Sequence, residues 1–199
     1  MSPRVILPSE QPALTDGVVT LTPFTLDDAP IMVQWDHDSE MAKWFDWPLV
    51  PPAPHDLQHA QQVVERWRRE YVLGERIPWA VRNSATTELL GSVELRPRSD
   101  GGADASYATH EPYRGTGYAS RALRLVCRWA FEVARFNRII AEYDARNIAS
   151  SRVAMAAGFV EVGRGIGEST YEANRTAPGD LVTAVLQPAG QLPIRSDDT

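Results

Sequence analysis

Tyr113-Arg114-Gly115-Thr116-Gly117-Tyr118-Ala119 joins a strand-like run, 103–109, to an amphipathic stretch that reads as helix to about Phe136. Glycines let a backbone take up positive φ and approach a ligand closely. A helix start presents unpaired N–H groups and the positive end of the macrodipole, a combination that suits a pyrophosphate. Arg114 adds a permanent positive charge. The plain alternative is a turn that only reverses the chain. Two nucleotide motifs fail here. A P-loop needs Gly-Lys-Ser/Thr, and a dinucleotide fingerprint needs a third glycine where Ser120 stands. Asp144 could act as a ribose-binding acid, but it lies further on than the roughly 20 residues expected.

The helix carries an apolar stripe of Ala119, Ala122, Leu123, Val126, Trp129, Ala130 and Val133, with Arg121, Arg124, Arg128 and Arg135 off it. A strand at 138–144 follows. Asn147 then caps a short helix that Gly158 ends, and strands at 159–164 and 181–186 close the pattern. Upstream, residues 77–82, 89–95 and 103–109 form an antiparallel meander with polar turns between them. Before it come a strand at 18–21, a helix from Thr25 to about Trp35, and a helix with Ala60, Val63, Val64, Trp67 and Tyr71 on one stripe. Trp44-Phe45-Asp46-Trp47-Pro48 is expected as a loop between those helices. The order β-αα-βββ-α-β-α-ββ makes the fold class α/β (α+β), one mixed sheet with helices on both faces. Residues 1–14 and 188–199 are expected as tails around a single domain at 15–187.

The whole chain agrees with this. Its 199 residues suit one domain, and 43% apolar residues can fill one core. The formal net charge of −6 argues against nucleic acid or a membrane surface as partner, and is compatible with a cationic amine. A lone cysteine, Cys127, excludes an intramolecular disulfide. It sits within the long helix and reads as an inert core thiol. No leader-like or membrane-spanning run is evident, so a cytoplasmic protein is expected.

These residues resemble the GCN5-related N-acetyltransferase (GNAT) superfamily. Its signature, Arg/Gln-x-x-Gly-x-Gly/Ala, is matched by Arg114, Gly117 and Ala119. Tyr107-Ala108-Thr109-His110 with 113–119, then Asn147-Ile148-Ala149-Ser150, Arg152-Val153 and Gly158-Phe159, is similar to the RimJ/RimL-like branch that acetylates ribosomal-protein N-termini. Leu26-Asp27-Asp28-Ala29, Trp35 and Trp44-Phe45 resemble that branch's first helices. The likeness spans about residues 18–187. It implies a seven-stranded sheet, splayed in the middle, with acetyl-CoA as co-substrate in the gap. It implies that pantetheine runs along Ala108, Thr109 and His110. The pyrophosphate would lie on Gly115, Thr116, Gly117, Tyr118 and Ala119 with Arg114 beside it, Asn147 on the pantetheine and Ser150 near the sulfur. Two departures stand out. Glu111-Pro112 replaces the usual Pro followed by an acid. Ala154 stands where many members carry a tyrosine that protonates the leaving thiolate, which leaves Ser150 or water for that task.

The implied reaction moves an acetyl group to a primary amine, by direct attack on the thioester and without a metal. An amine of pKa about 10.4 must first lose a proton. Glu94, which alternates with Val93 and Leu95, is the first candidate base. Its alternative is an ion pair with Arg82 or another arginine. His110, beside the turn, is the second candidate. Trp44, Phe45 and Trp47 could wall the acceptor pocket or pack the first helices together. Glu94 could also hold the acceptor's ammonium. Two other functions compete. One is a non-catalytic CoA sensor of the same fold. The other is a zinc hydrolase using His55 and His59, whose spacing imitates H-E-x-x-H but lacks a third ligand. Protein N-termini and small-molecule amines both stay open as acceptors.

Overall fold

Five strands and three helices precede the amphipathic helix that opens at the glycine turn. The structure is a computed structural model and describes residues 7–35, 38–45, 56–165 and 181–188. β1 (Leu14–Thr15) and β2 (Val19–Thr22) lead to a 3₁₀ turn, Leu26–Asp28. Three helices follow: α1 (Ala29–Trp35), α2 (Ser39–Phe45) and α3 (Leu57–Leu73). Then come β3 (Ile77–Asn83), β4 (Leu89–Pro97) and β5 (Ala103–Thr109), α4 (Tyr118–Glu132), β6 (Ile139–Asp144), α5 (Ile148–Ala156), β7 (Val160–Gly165) and β8 (Leu181–Leu186).

The eight strands form one sheet in the order β1-β2-β3-β4-β5-β6-β8-β7. The fold class is as expected, with one strand beyond the expected seven. The extra one is β1, which pairs Leu14 with Leu21 at the sheet edge. Three hydrogen bonds tie down the segment before it, which sequence reading assigns to a tail. Gln11 Nε2 donates to Pro78 O (2.6 Å), Tyr71 Oη to Pro8 O (2.7 Å) and Trp79 Nε1 to Pro12 O (2.9 Å). Those are long-range partners of a Pro-rich stretch, so local periodicity could not reveal them.

Alternation along the strands builds a core on each face. Ile77, Trp79, Val81, Val93 and Leu95 pack on Leu123, Val126, Trp129 and Ala130 of α4. Trp79 is fully buried and meets Trp129 edge-on, with ring centroids 5.1 Å apart. Val133, expected in the α4 stripe, lies past the helix end and is exposed. The opposite face packs Ala80 and Leu89 on Phe24, Met32, Trp35, Met41, Ala60 and Val64 from the α1–α3 side. There Asp28 is buried beside Arg82, with Nη2 to Oδ2 at 2.7 Å, and its Oδ2 also accepts from Thr25 N–H.

The sheet is antiparallel everywhere except at its centre. β5 and β6 run parallel and pair only at Ala103↔Ile139 and Asp104↔Ile140. β5 nevertheless continues to Thr109, and β6 continues to Asp144 fully paired with β8. The two strands therefore part, and a gap opens toward their C-terminal ends.

Candidate active site

Peptide groups line one wall of this gap. Ala103 N–H donates to Arg138 O on the β6 side, whereas His110 N–H donates to Leu90 O on the β4 side. Alternation then turns the N–H and C=O groups of Ala105, Tyr107 and Thr109 toward the gap. Gly91 makes the wall possible. A Cβ there would lie 2.1 Å from Ala108 O, so only glycine lets β4 approach the end of β5 this closely. Of the three residues expected along the pantetheine, Thr109 faces the gap. Ala108 packs against the α1–α3 core, and the ring of His110 sits between Trp35 (6.1 Å) and Tyr113 (6.0 Å).

Beyond β5, a 3₁₀ turn (Glu111–Tyr113) delivers the chain to the glycines. Gly115 has φ 76° and Gly117, the N-cap of α4, has φ 82°. No side chain caps α4. Its first N–H groups are left to solvent or a ligand, and the space a Cβ would enter at Gly115 and Gly117 is open. Thr116 Oγ1 closes the turn onto Tyr113 O at 2.6 Å. Tyr118 and Ala119 are half-buried at the helix start. Arg114 spans two elements. Its Nε donates to Thr109 O at 3.2 Å, and its Nη2 pairs with Asp38, just before α2.

Across the gap, Asn147 Oδ1 accepts from Ser150 N–H (3.0 Å) and caps α5. Tyr107 reaches over from β5. Its hydroxyl lies 2.9 Å from both Ser150 O and Ser150 Oγ. Burial is the main cause that pushes the Tyr107 phenol up to about 12. Sequence reasoning quotes Tyr107 only within the motif and assigns it no task, because its partner is 43 residues away. The one available signal was a tyrosine at a gap-facing β5 position, beside a missing one at Ala154.

Glu94 lies on the other face. It stands opposite Ser106 in the β4–β5 ladder, one position on from the Val93↔Tyr107 pair. Its carboxylate accepts from Arg96 and lies 3.5 Å from Arg76 Nη1. Arg82, the partner suggested by the sequence, is engaged with Asp28 instead.

Trp44 and Phe45 belong to α2 rather than to a loop. Trp44 Nε1 donates to Glu40 Oε2 at 3.1 Å, and Lys43 Nζ lies 4.4 Å from the Trp44 ring centroid. Asp38 touches Arg114 at one end of α2. At the other end Lys43 is near enough to Asp144 to help hold its carboxyl low, an effect led by the Arg146 hydrogen bond. The residue that caps α2 is therefore tied to the arginine of the glycine turn. Trp47, and His55 of the zinc-like pair, lie outside the described residues. Among the described residues no cluster of three His, Cys, Asp or Glu could hold a metal. Cys127 is buried in α4, and burial raises its thiol pKa far above the ordinary range.

Comparison with known proteins agrees with this geometry. The N-acetyltransferase p20 of Bacillus licheniformis is 22% identical over 147 residues, which is 73% of this chain and 80% of that protein. RimJ of Mycobacterium smegmatis, solved with a CoA disulfide, superposes with a TM-score of 0.76 at 20% identity, covering 96% of this chain and 93% of that one. The ribosomal-protein-S5-alanine acetyltransferase of Vibrio fischeri superposes with a TM-score of 0.71 at 19% identity, over 91% and 99%. The family profile for the acetyltransferase (GNAT) domain matches residues 19–160, more than half of the chain. A splayed sheet, a glycine turn opening α4 and that match together make this chain a member of the GNAT acetyltransferase family.

Proposed function

We propose that the protein transfers an acetyl group from acetyl-CoA to a primary amine. The observation that carries this reading is the gap itself. One wall is a free peptide edge, which leads from the uncapped start of α4 to the Tyr107–Ser150 pair. The pyrophosphate takes the N–H groups of residues 115–119, and the pantetheine amides pair with the edge at Tyr107 and Thr109. Asn147 holds the far side.

The amine nitrogen attacks the thioester carbonyl, a C–N bond forms, the C–S bond breaks and a thiolate leaves. A phenol near 12 does not give its proton to a thiolate whose conjugate acid has a pKa of about 8.5. The Tyr107–Ser150 pair therefore stabilises the thiolate by hydrogen bonding, through Ser150 Oγ–H, and water supplies the proton. This supports an enzyme over a sensor, because the group missing at Ala154 has a substitute. Ser106 and Glu94 face the α1–α3 side of the sheet, opposite Tyr107. The amine arrives on that side past Trp44, and Glu94 receives its proton through water. His110 is the second candidate for that proton. The acceptor is an amine of a protein N-terminus or of a small molecule.

Release of free thiol from acetyl-CoA, measured across peptides with free N-termini, polyamines, amino acids and aminoglycosides, tests the reading. Amine-dependent thiol release with at least one class is expected. Tight CoA binding with no release for any class would favour the sensor.

A further inference from the structure

Arg114 is held by protein groups on two sides. Its Nη2 holds Oδ2 of Asp38, and its Nε holds the Thr109 carbonyl. The same Asp38 carboxylate caps α2, with Oδ1 accepting from the N–H of Glu40 (3.1 Å) and of Met41 (3.2 Å). Asp38 N–H donates to Trp35 O (2.9 Å), and the Trp35 ring lies against His110. The last residue of α1 and the cap of α2 are thus fastened to the β5 end and the cofactor turn by one ring contact and one ion pair. Both groups held by Arg114 matter to the cofactor. The Thr109 carbonyl lies on the free edge of the gap. The guanidinium itself stands one residue from the glycine turn.

We propose that Asp38 and Arg114 form a latch that acetyl-CoA opens. Donor binding then frees α2 on the acceptor side. The proposal rests on the acetyl-CoA reading above. A pyrophosphate at residues 115–119 carries more charge than one carboxylate and offers a guanidinium two-pronged contacts. A pantetheine amide that pairs with Thr109 C=O removes the other hold on Arg114. Asp38 keeps its two backbone partners in α2, so the helix stays capped while its attachment is lost.

The test combines calorimetry of CoA binding with hydrogen exchange of the α2 amides, on wild type, Asp38→Asn and Glu40→Gln. Asparagine caps a helix about as well as aspartate, so α2 should persist. In wild type, CoA should speed exchange over residues 39–45. In Asp38→Asn those amides should exchange fast already, with no further change on adding CoA. That variant should bind CoA about 2- to 5-fold more tightly, the scale of one partly exposed ion pair. Glu40→Gln removes one charge beside Asp38 without touching Arg114, keeps an acceptor for Trp44 Nε1, and should match wild type in CoA affinity and in its exchange response to CoA. Several results would overturn the latch: CoA slowing or leaving unchanged the α2 exchange of wild type, an equal CoA response in Asp38→Asn, or equal tightening by Glu40→Gln. Failure of CoA to bind wild type, seen in the calorimeter before any exchange is measured, would sink the acetyl-CoA reading itself.

Discussion

At the scale of single residues, Tyr107 and Ser150 carry the leaving-group side of the reaction. Ser150→Ala removes the donor to the thiolate, and hydrogen bonds to charged groups are worth about 1.5–3 kcal/mol. The expected loss is about 10- to 100-fold in kcat, with the KM for acetyl-CoA little changed. Tyr107→Phe should lower kcat less and should also cost stability, because it removes the contact from β5 to α5. The raised phenol pKa fixes the pH dependence. A group whose folded pKa lies above its unfolded value stabilises fully below the unfolded value, near 10. That stability is lost as pH rises toward about 12. Between pH 7 and 10 the rate profiles of wild type and Tyr107→Phe should therefore run parallel, and stopped-flow thiol release with thermal melts checks both points. The cofactor turn was legible in the sequence because its residues are consecutive. The roles of Tyr107, Asp38 and Arg76 were not, because their partners sit 43, 76 and 18 positions away.

At the scale of elements, the decisive feature is where β5 and β6 stop pairing, and Glu94 shows what the strands do for chemistry. It stands on β4 facing α3, with its carboxylate between Arg76 and Arg96. Glu94→Gln keeps the shape but cannot accept a proton. If the amine's proton goes to Glu94, kcat/KM should fall about 10²- to 10⁴-fold and recover in part at high pH. If the two arginines define its role, the melting temperature should drop while activity per folded molecule stays near wild type at every pH. A higher acceptor KM alone would mark ammonium binding. A pH–rate series run beside thermal melts separates these outcomes. The long elements were legible because α3, α4 and the meander repeat their apolar positions over many residues. Helix α2 was not. Its seven residues, Ser39–Phe45, are too short for a periodic stripe, and the aromatic pair at its end reads like loop. The two-residue strand β1 escaped for the same reason. The gap itself was reached through family resemblance, since nothing in the spacing of 103–109 and 138–144 says where two parallel strands part.

At the scale of the whole molecule, two cores back a sheet whose centre is left open, and the open centre leads straight to the start of α4. An excess of six negative charges surrounds a turn that must take an anion, so attraction there has to be local. Arg114 and the N–H groups of α4 supply it. Gly117 is where that attraction depends most on backbone shape. Its φ of 82° costs a β-branched residue about 1–2 kcal/mol, and any side chain enters the open space meant for the pyrophosphate. The most direct measurement is calorimetric titration of CoA into wild type and into Gly117→Val, with folding of both confirmed by thermal melts. The account predicts that wild type binds CoA with one site and that the folded variant loses at least about 100-fold in affinity, the size of two lost charge-assisted hydrogen bonds. A folded Gly117→Val protein that binds CoA as tightly as wild type would contradict it.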